Sequence, residues 1–344
     1  MSGSKRAATG AAALAVAMVH ASTVLVVTSV AGAAETAGAA EIAGAVETAP
    51  PSDNLALWRV YESSFANAKY IDLTHAFAPG QPAGIGLAPL TVGAARSTVT
   101  IPGLIRKGDA FSYEGQGVGI TAYQLPSDQV GTQLDPPAHW SATGATISEL
   151  PPTFAVRPLV VINIADKVAA DPGYNAGLPD IAAWEKRHGR IPRGAVVMIR
   201  SDWYRKWNDP KRFTLAPFPG VTLEALQLLH LERGILFHGH EPLDTDSAGD
   251  FKSESWLMHH NFTQAEGVMN LDQVPEAGAL ILIGYAKPEG GTGGFARYIA
   301  VAPASWPGGT TIADAPGAPL PAYPAPLKRG ADGVLRRATA PGSR

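Results

Sequence analysis

Leu159-Val-Val-Ile-Asn-Ile164 and Ala195-Val-Val-Met-Ile-Arg200 decide the fold. Each is a continuous apolar run rich in β-branched residues, the pattern of a strand buried on both faces. Between them, Asp180 to His188 places Ile181, Ala182 and Trp184 at helical spacing and stops at Gly189, which predicts an amphipathic helix. A second helix is predicted over Thr222 to Arg233, with Thr222 as its N-cap, Glu224 in its first turn and Gly234 ending it. Ile235 to His238 follows as another strand. Working outward, Ala279 to Gly284 and Arg297 to Pro303 read as strands. So do Tyr70 to His75, running into a loop broken by Pro79, Gly80 and Pro82, and the alternating stretch Val118 to Leu125. Leu55 to Ala66 has the apolar spacing of a helix. The class is α/β, a mixed sheet with flanking helices, and no internal repeat is present.

The ends of the chain differ from this middle. Lys5 and Arg6 precede an Ala/Val/Leu-rich stretch, and Ala31-Gly32-Ala33 offers the small residues that a signal peptidase prefers. Residues 1–33 are therefore expected to be a cleaved signal peptide and 34–52 a flexible Ala/Gly/Glu-rich leader. The folded domain is placed at 53–310, and 311–344 is read as a Pro/Gly-rich tail. The expected location is secreted or periplasmic, with no stable membrane partner once the signal is removed. Net charge is -3 and no basic run with interleaved aromatics occurs, so nucleic acid is not an expected partner. The absence of cysteine excludes disulfides, thiolate metal sites and cysteine nucleophiles.

Polar chemistry concentrates in Ser127-Asp-Gln-Val-Gly-Thr-Gln-Leu-Asp-Pro-Pro-Ala-His-Trp140. Gln129, Gln133, Asp135 and His139 fall four, two and four residues apart. Gly131 lets the backbone bend, and Pro136-Pro137 forbid a continuing helix. Such a rigid, extended or turning segment can present oxygen and imidazole groups for metal binding or proton transfer. A proline-stiffened surface loop whose Asp and His cap turn amides is the other reading.

This segment resembles the signature His-x-Gly-Thr-His-x-Asp-x-Pro-x-His of the cyclase family, which includes bacterial kynurenine formamidase and isatin hydrolase. The matching positions are Gln129, Gly131, Thr132, Gln133, Asp135, Pro137 and His139. Further stretches fall in the family's order: Asp72 to His75, Arg200 to Trp203, Pro219 to Val221, Gly239 to Asp246, Glu266 to Asp272, and Ala296-Arg297. The resemblance covers about residues 70–303. It implies a swivelling β/β/α-type single domain, usually in homo-oligomers. It also implies metal ligands at Gln133, Asp135, Glu254 and Glu266, with His139 as acid–base group and Glu266 beside it in catalysis.

Two departures alter the expected metal. Both signature histidines are glutamine here, at 129 and 133, and a further family histidine corresponds to Glu254. The implied set is all oxygen, which favours Mn2+ over Zn2+, with Mg2+ or Ca2+ also suited and a metal-free site as the alternative. Gln129, Trp140, Trp203, His240, Glu241 and His260 are candidate pocket residues. His259 and His260 cannot easily share one ion, because adjacent side chains diverge. Gly290 to Gly294 forms a glycine loop without the lysine of a phosphate loop, so nucleotide binding is not expected.

The expected function is hydrolysis, or cyclisation, of a small cyclic or acyl amide or ester. A divalent cation would activate water, and His139 would carry protons. A non-catalytic exported binding protein on the same fold is the first alternative. A metal-free cyclase or dehydratase using His139 and Glu266 is the second.

Overall fold

The computed structural model describes residues 53–82, 87–214, 217–247, 249–312 and 325–337. The signal peptide and leader expected over 1–52 lie outside these residues. Eight strands form the main sheet: β1 (Lys69–Asp72), β2 (Gln133–Asp135), β3 (Val156–Asn163), β4 (Val196–Arg200), β5 (Phe237–His240), β6 (Thr263–Glu266), β7 (Ala279–Tyr285) and β8 (Gly294–Ala302). Their order is β1-β8-β7-β3-β4-β5-β6-β2, and β2 pairs again with β8. Seven strands thereby close into a ring. β8 forks, holding β2 at its start through Gly294 and Phe295, and β1 towards its end through Ile299 to Ala302. The run β3-β4-β5-β6 is parallel and the remaining pairings are antiparallel, so the sheet is mixed as expected.

Side-chain alternation divides the core in two. Leu159, Val161, Val196, Met198, Phe237, Leu134 and Ala265 point into one cluster with β7, β8 and Tyr298. Val160, Ile162, Val197 and Ile199 point the other way, under two helices. The first of these, α1 (Leu178–His188), buries Ile181 and Trp184 at i and i+3. Asp180 secures its start by accepting from the Gly177 amide at 2.8 Å. The second, α2 (Leu223–Gln227), begins with the Thr222 hydroxyl accepting from Ala225 N and continues as a wider turn to Arg233. Each fully buried Ile, Leu or Trp here stabilises the fold by roughly 2 kcal/mol.

Three expectations need revision. The helix near the start of the domain is Ala56–Val60 followed by a wider-wound Tyr61–Phe65, and it buries no residue. Residues 133–135 and 263–266 are strands, although their polar composition gave no strand signal. Within the stretch read as tail, Leu327–Arg329 and Leu335–Arg337 form a hairpin, turned at Asp332-Gly333 with Gly333 at φ +81°. Arg329 joins it to Thr121 at 3.3 Å, in the small sheet of Thr91–Ala94 with Thr121–Gln124.

Candidate active site

β2 and β6 carry almost the same tetrapeptide, Thr132-Gln-Leu-Asp135 and Thr263-Gln-Ala-Glu266. Antiparallel register sets Glu266 opposite Gln133 and Gln264 opposite Asp135. With a period of two, Leu134 and Ala265 enter the apolar core while Gln133, Asp135, Gln264 and Glu266 share the opposite face. Gly131, at φ +79°, makes the bend that starts β2. Thr132 then fastens the strand, donating to Gly267 O at 2.6 Å and accepting from His75 N at 2.9 Å. Helix α3 (Lys252–His259) lies across this face and delivers Glu254. Asp246 anchors its first turn, accepting from the amides of Ser253 (3.0 Å) and Glu254 (2.9 Å). The Pro137–His139 turn closes the group with His139 and Trp140.

Asp135, Glu254 and Glu266 each offer a carboxylate oxygen within 4.8 Å of the others, and all three are buried. Glu266 accepts from Gln133 Nε2 at 2.7 Å and from Gln264 Nε2 at 2.8 Å. Asp135, fully buried, accepts long contacts of 3.4 Å from Gln129 and Gln264. Burial pushes Asp135 up to about 7. Burial first, then the neighbouring carboxylates, raises Glu254 and Glu266 well above the usual range. Asp244 beside them reaches about 6, also through burial. Three crowded carboxylates in a low dielectric need either protons or a cation.

The donor set fits a hard divalent cation. Gln133 Oε1 is buried with no hydrogen-bond partner, although its own amide nitrogen is engaged by Glu266. An unpaired carbonyl-type oxygen beside three buried carboxylates is an oxygen-ligand cradle.

Above this floor opens a cleft of about 290 Å3, lined by Gln129, Gln133, His139, Trp140, Glu254 and Glu266 among others. Leu87, Leu243 and Phe251 supply its apolar wall, and Trp140 packs on Phe251 at 5.4 Å between ring centroids. Trp140 Nε1 donates to Glu254 Oε1 at 2.9 Å, which fixes both side chains. His139 Nδ1 meets Gln129 Nε2 at 2.7 Å, and its Nε2 stands 3.7 Å from Glu254 Oε1. Burial lowers the His139 imidazole, with Asp128 opposing.

The structure thus assembles Gln129, Gln133, Asp135, His139, Trp140, Glu254 and Glu266, and it excludes others. Trp203 is buried in the helix-side core, donating to Phe213 O at 3.0 Å, and is no pocket wall. His260 is exposed at the end of α3, its Nδ1 2.7 Å from Trp256 O, and lines no part of the cleft. Glu241 is buried away from the cleft, accepting from Ser201 Oγ and Tyr204 N. His240 lies on the floor's own face beside Glu266, 4.0 Å from it and 2.7 Å from Thr245 Oγ1, without lining the cleft. Sequence reasoning missed Gln264 and Phe251, whereas Asp244, in the acidic stretch after β5, does line the cleft. The repeated Thr-Gln-x-acid tetrapeptide was the available signal for Gln264.

Known proteins bear on this arrangement. The family model described as "Putative cyclase" matches residues 71–247. The chain is 32% identical over 197 residues to an isatin hydrolase of Roseibium aggregatum, spanning 53% of this chain and 74% of that protein. Isatin hydrolase A from Ralstonia solanacearum superposes with a TM-score of 0.62 at 26% identity, covering 75% of this chain and all of that one. A potential metal-dependent hydrolase with cyclase activity shares the fold, with a TM-score of 0.50 at 19% identity over 68% of this chain and 98% of its own.

Proposed function

Because this chain belongs to the cyclase family, we propose that it is a metal-dependent hydrolase that opens a small cyclic amide, an isatin-like lactam. The observation that carries this reading is the buried triad Asp135, Glu254 and Glu266 under a cleft that His139 faces. A cation held by these carboxylates and Gln133 Oε1 would supply Lewis-acid polarisation of the carbonyl and a more acidic water. The chain's own groups do the rest. Leu87, Leu243, Phe251 and Trp140 accept a flat apolar ring and keep bulk water away. Hydrolysis moves one proton from water to the leaving nitrogen, and His139 with the carboxylates Glu254 and Glu266 are the groups within reach of it. The all-oxygen donor set supports Mn2+ over Zn2+. The basic start, apolar run and Ala31-Gly32-Ala33 support export to the periplasm or outside the cell, and the family resemblance supports a homo-oligomer.

The test is turnover of N-formyl aromatic amines, isatin-like lactams and small lactones, with elemental analysis of the purified protein. Lactam opening that chelation abolishes and Mn2+ restores better than Zn2+ is expected. His139→Ala should lower turnover by roughly 10²–10⁴-fold while changing affinity far less. Several compounds bound equally by wild type and mutant, with none turned over, would leave the binding-protein reading as the better one.

A further inference from the structure

Gln129 stands where the family signature carries a histidine, and here its side chain is turned towards another side chain. Its amide nitrogen is surrounded by three acceptors: His139 Nδ1 at 2.7 Å, Thr292 O at 3.2 Å and Asp135 Oδ1 at 3.4 Å. Two of these, a backbone carbonyl and a carboxylate, accept hydrogen bonds, which fixes which end of the amide is nitrogen. A nitrogen that donates to Nδ1 makes Nδ1 the lone-pair end of the ring. The neutral imidazole must then carry its proton on Nε2, the atom nearest Glu254.

The loop that presents Thr292 O is itself pinned. Asp128 Oδ2 accepts from the amides of Thr292 at 2.8 Å and Gly293 at 2.9 Å. Gly293 is packed so closely on Gln129 that a Cβ there would run into Gln129 Cγ. Asp128, the glycine loop and Gln129 form a chain of contacts ending on one nitrogen of His139.

We propose that Gln129 is a positioning residue that locks His139 in its Nε2–H tautomer, so that His139 acts as a hydrogen-bond donor to the substrate carbonyl rather than as the base. This rests on the hydrolase reading above and assigns the work within it. Water adds its oxygen to the carbonyl carbon, and its proton passes to a buried carboxylate. The C–N bond breaks, and the nitrogen takes that proton. His139 keeps its own proton throughout and steadies the oxygen on which negative charge develops.

The protein, loaded with diamagnetic Mg2+ and labelled with 15N in its histidines, reports the tautomer directly, and His139→Gln assigns the signals. The expected pattern is a protonated Nε2 and an unprotonated Nδ1 for His139; a protonated Nδ1 overturns the proposal whatever the activity. Gln129→Leu should blur the pattern towards a mixture and lower kcat by about tenfold with KM little changed. Gln129→Glu separates the roles. A carboxylate accepts from Nδ1–H and leaves Nε2 free, so kcat should fall if His139 is a donor and hold or rise if it is the base. Gly293→Ala should act like Gln129→Leu on the 15N pattern, and an unchanged pattern there would refute the role of the loop. If no lactam is opened while the Nε2–H pattern is present and answers to Gln129, the hydrolase reading fails and the tautomer lock stands.

Discussion

Val197 and His238 are neighbours in register on β4 and β5, on the same face of the same sheet. Val197 lies under α2 in an apolar core, whereas His238 begins a polar floor that continues through Gln264, Glu266, Gln133 and Asp135. One pleated surface is therefore covered by helices over its parallel half and by a cleft over its closing half. The apolar half gains stability from burial. The polar half spends it, since it buries carboxylates with few hydrogen bonds. A surface this uneven is what a site built on rigid strands requires, because the apolar half holds the geometry of the polar half.

Reversing the chemistry of each half should give opposite results. Asp135→Ala removes the most deeply buried of the three carboxylates, and turnover should fall by about 10³-fold or more, reflecting several kcal/mol of lost electrostatic stabilisation. Bound metal should fall with it, and elemental analysis beside initial rates measures both. Val197→Asp places a charge in the apolar half and should cost roughly 3–5 kcal/mol, read as a collapse of the urea midpoint. Full retention of the midpoint would show that the helix-covered face tolerates charge as the cleft floor does.

The pH dependence sharpens the contrast. Asp135 rises from 3.8 to about 7 on folding, so its contribution to metal-free stability is complete below pH 4 and is lost as pH rises through about 7. The buried histidines work in the other sense. His75 and His240 fall to about 4, so their contribution is present above 6.5 and is lost as pH falls through about 4. Glu266→Gln removes one carboxylate from the crowd. Its metal-free Tm should exceed the wild type's by a few degrees near pH 7 and converge with it near pH 4. A constant difference at both pH values would remove the carboxylates as its cause. The smallest effect belongs to His260→Ala, at an exposed ring outside the cleft. Stability should stay within about 0.5 kcal/mol and turnover should be unchanged.

The same contrast explains what could be read from the chain. Runs such as Leu159 to Ile164 and Ala195 to Arg200 declare themselves because both faces of those strands are apolar. β2 and β6 do not, since half of each strand is the site, and strand signals rest on hydrophobicity. The signature residues Gln133, Asp135 and His139 were legible from their spacing and family order. Glu254 was reached by counting back from Glu266, and α3 does bring it to the floor. Trp203 misled because an aromatic beside a motif resembles a pocket wall, while its indole N–H already has a partner in Phe213 O. His260 misled because a histidine ending a helix finds a helix carbonyl more readily than a cleft. Gln129 was placed in the pocket, but its hold on His139 needed the third dimension.

The fork in β8 has a consequence for how the protein comes apart. β2 is three residues long and polar, and as an edge strand it would fray within the native state. Held by β6 on one side and β8 on the other, with Tyr298 Oη donating to Gln133 O at 2.9 Å, it has no edge from which to open. Amide protons of Gln133 to Asp135 should therefore exchange only with global unfolding, alongside the apolar strands. Denaturant titrations followed by turnover and by tryptophan fluorescence should then share one midpoint, so the polar floor and the fold are lost in a single cooperative event.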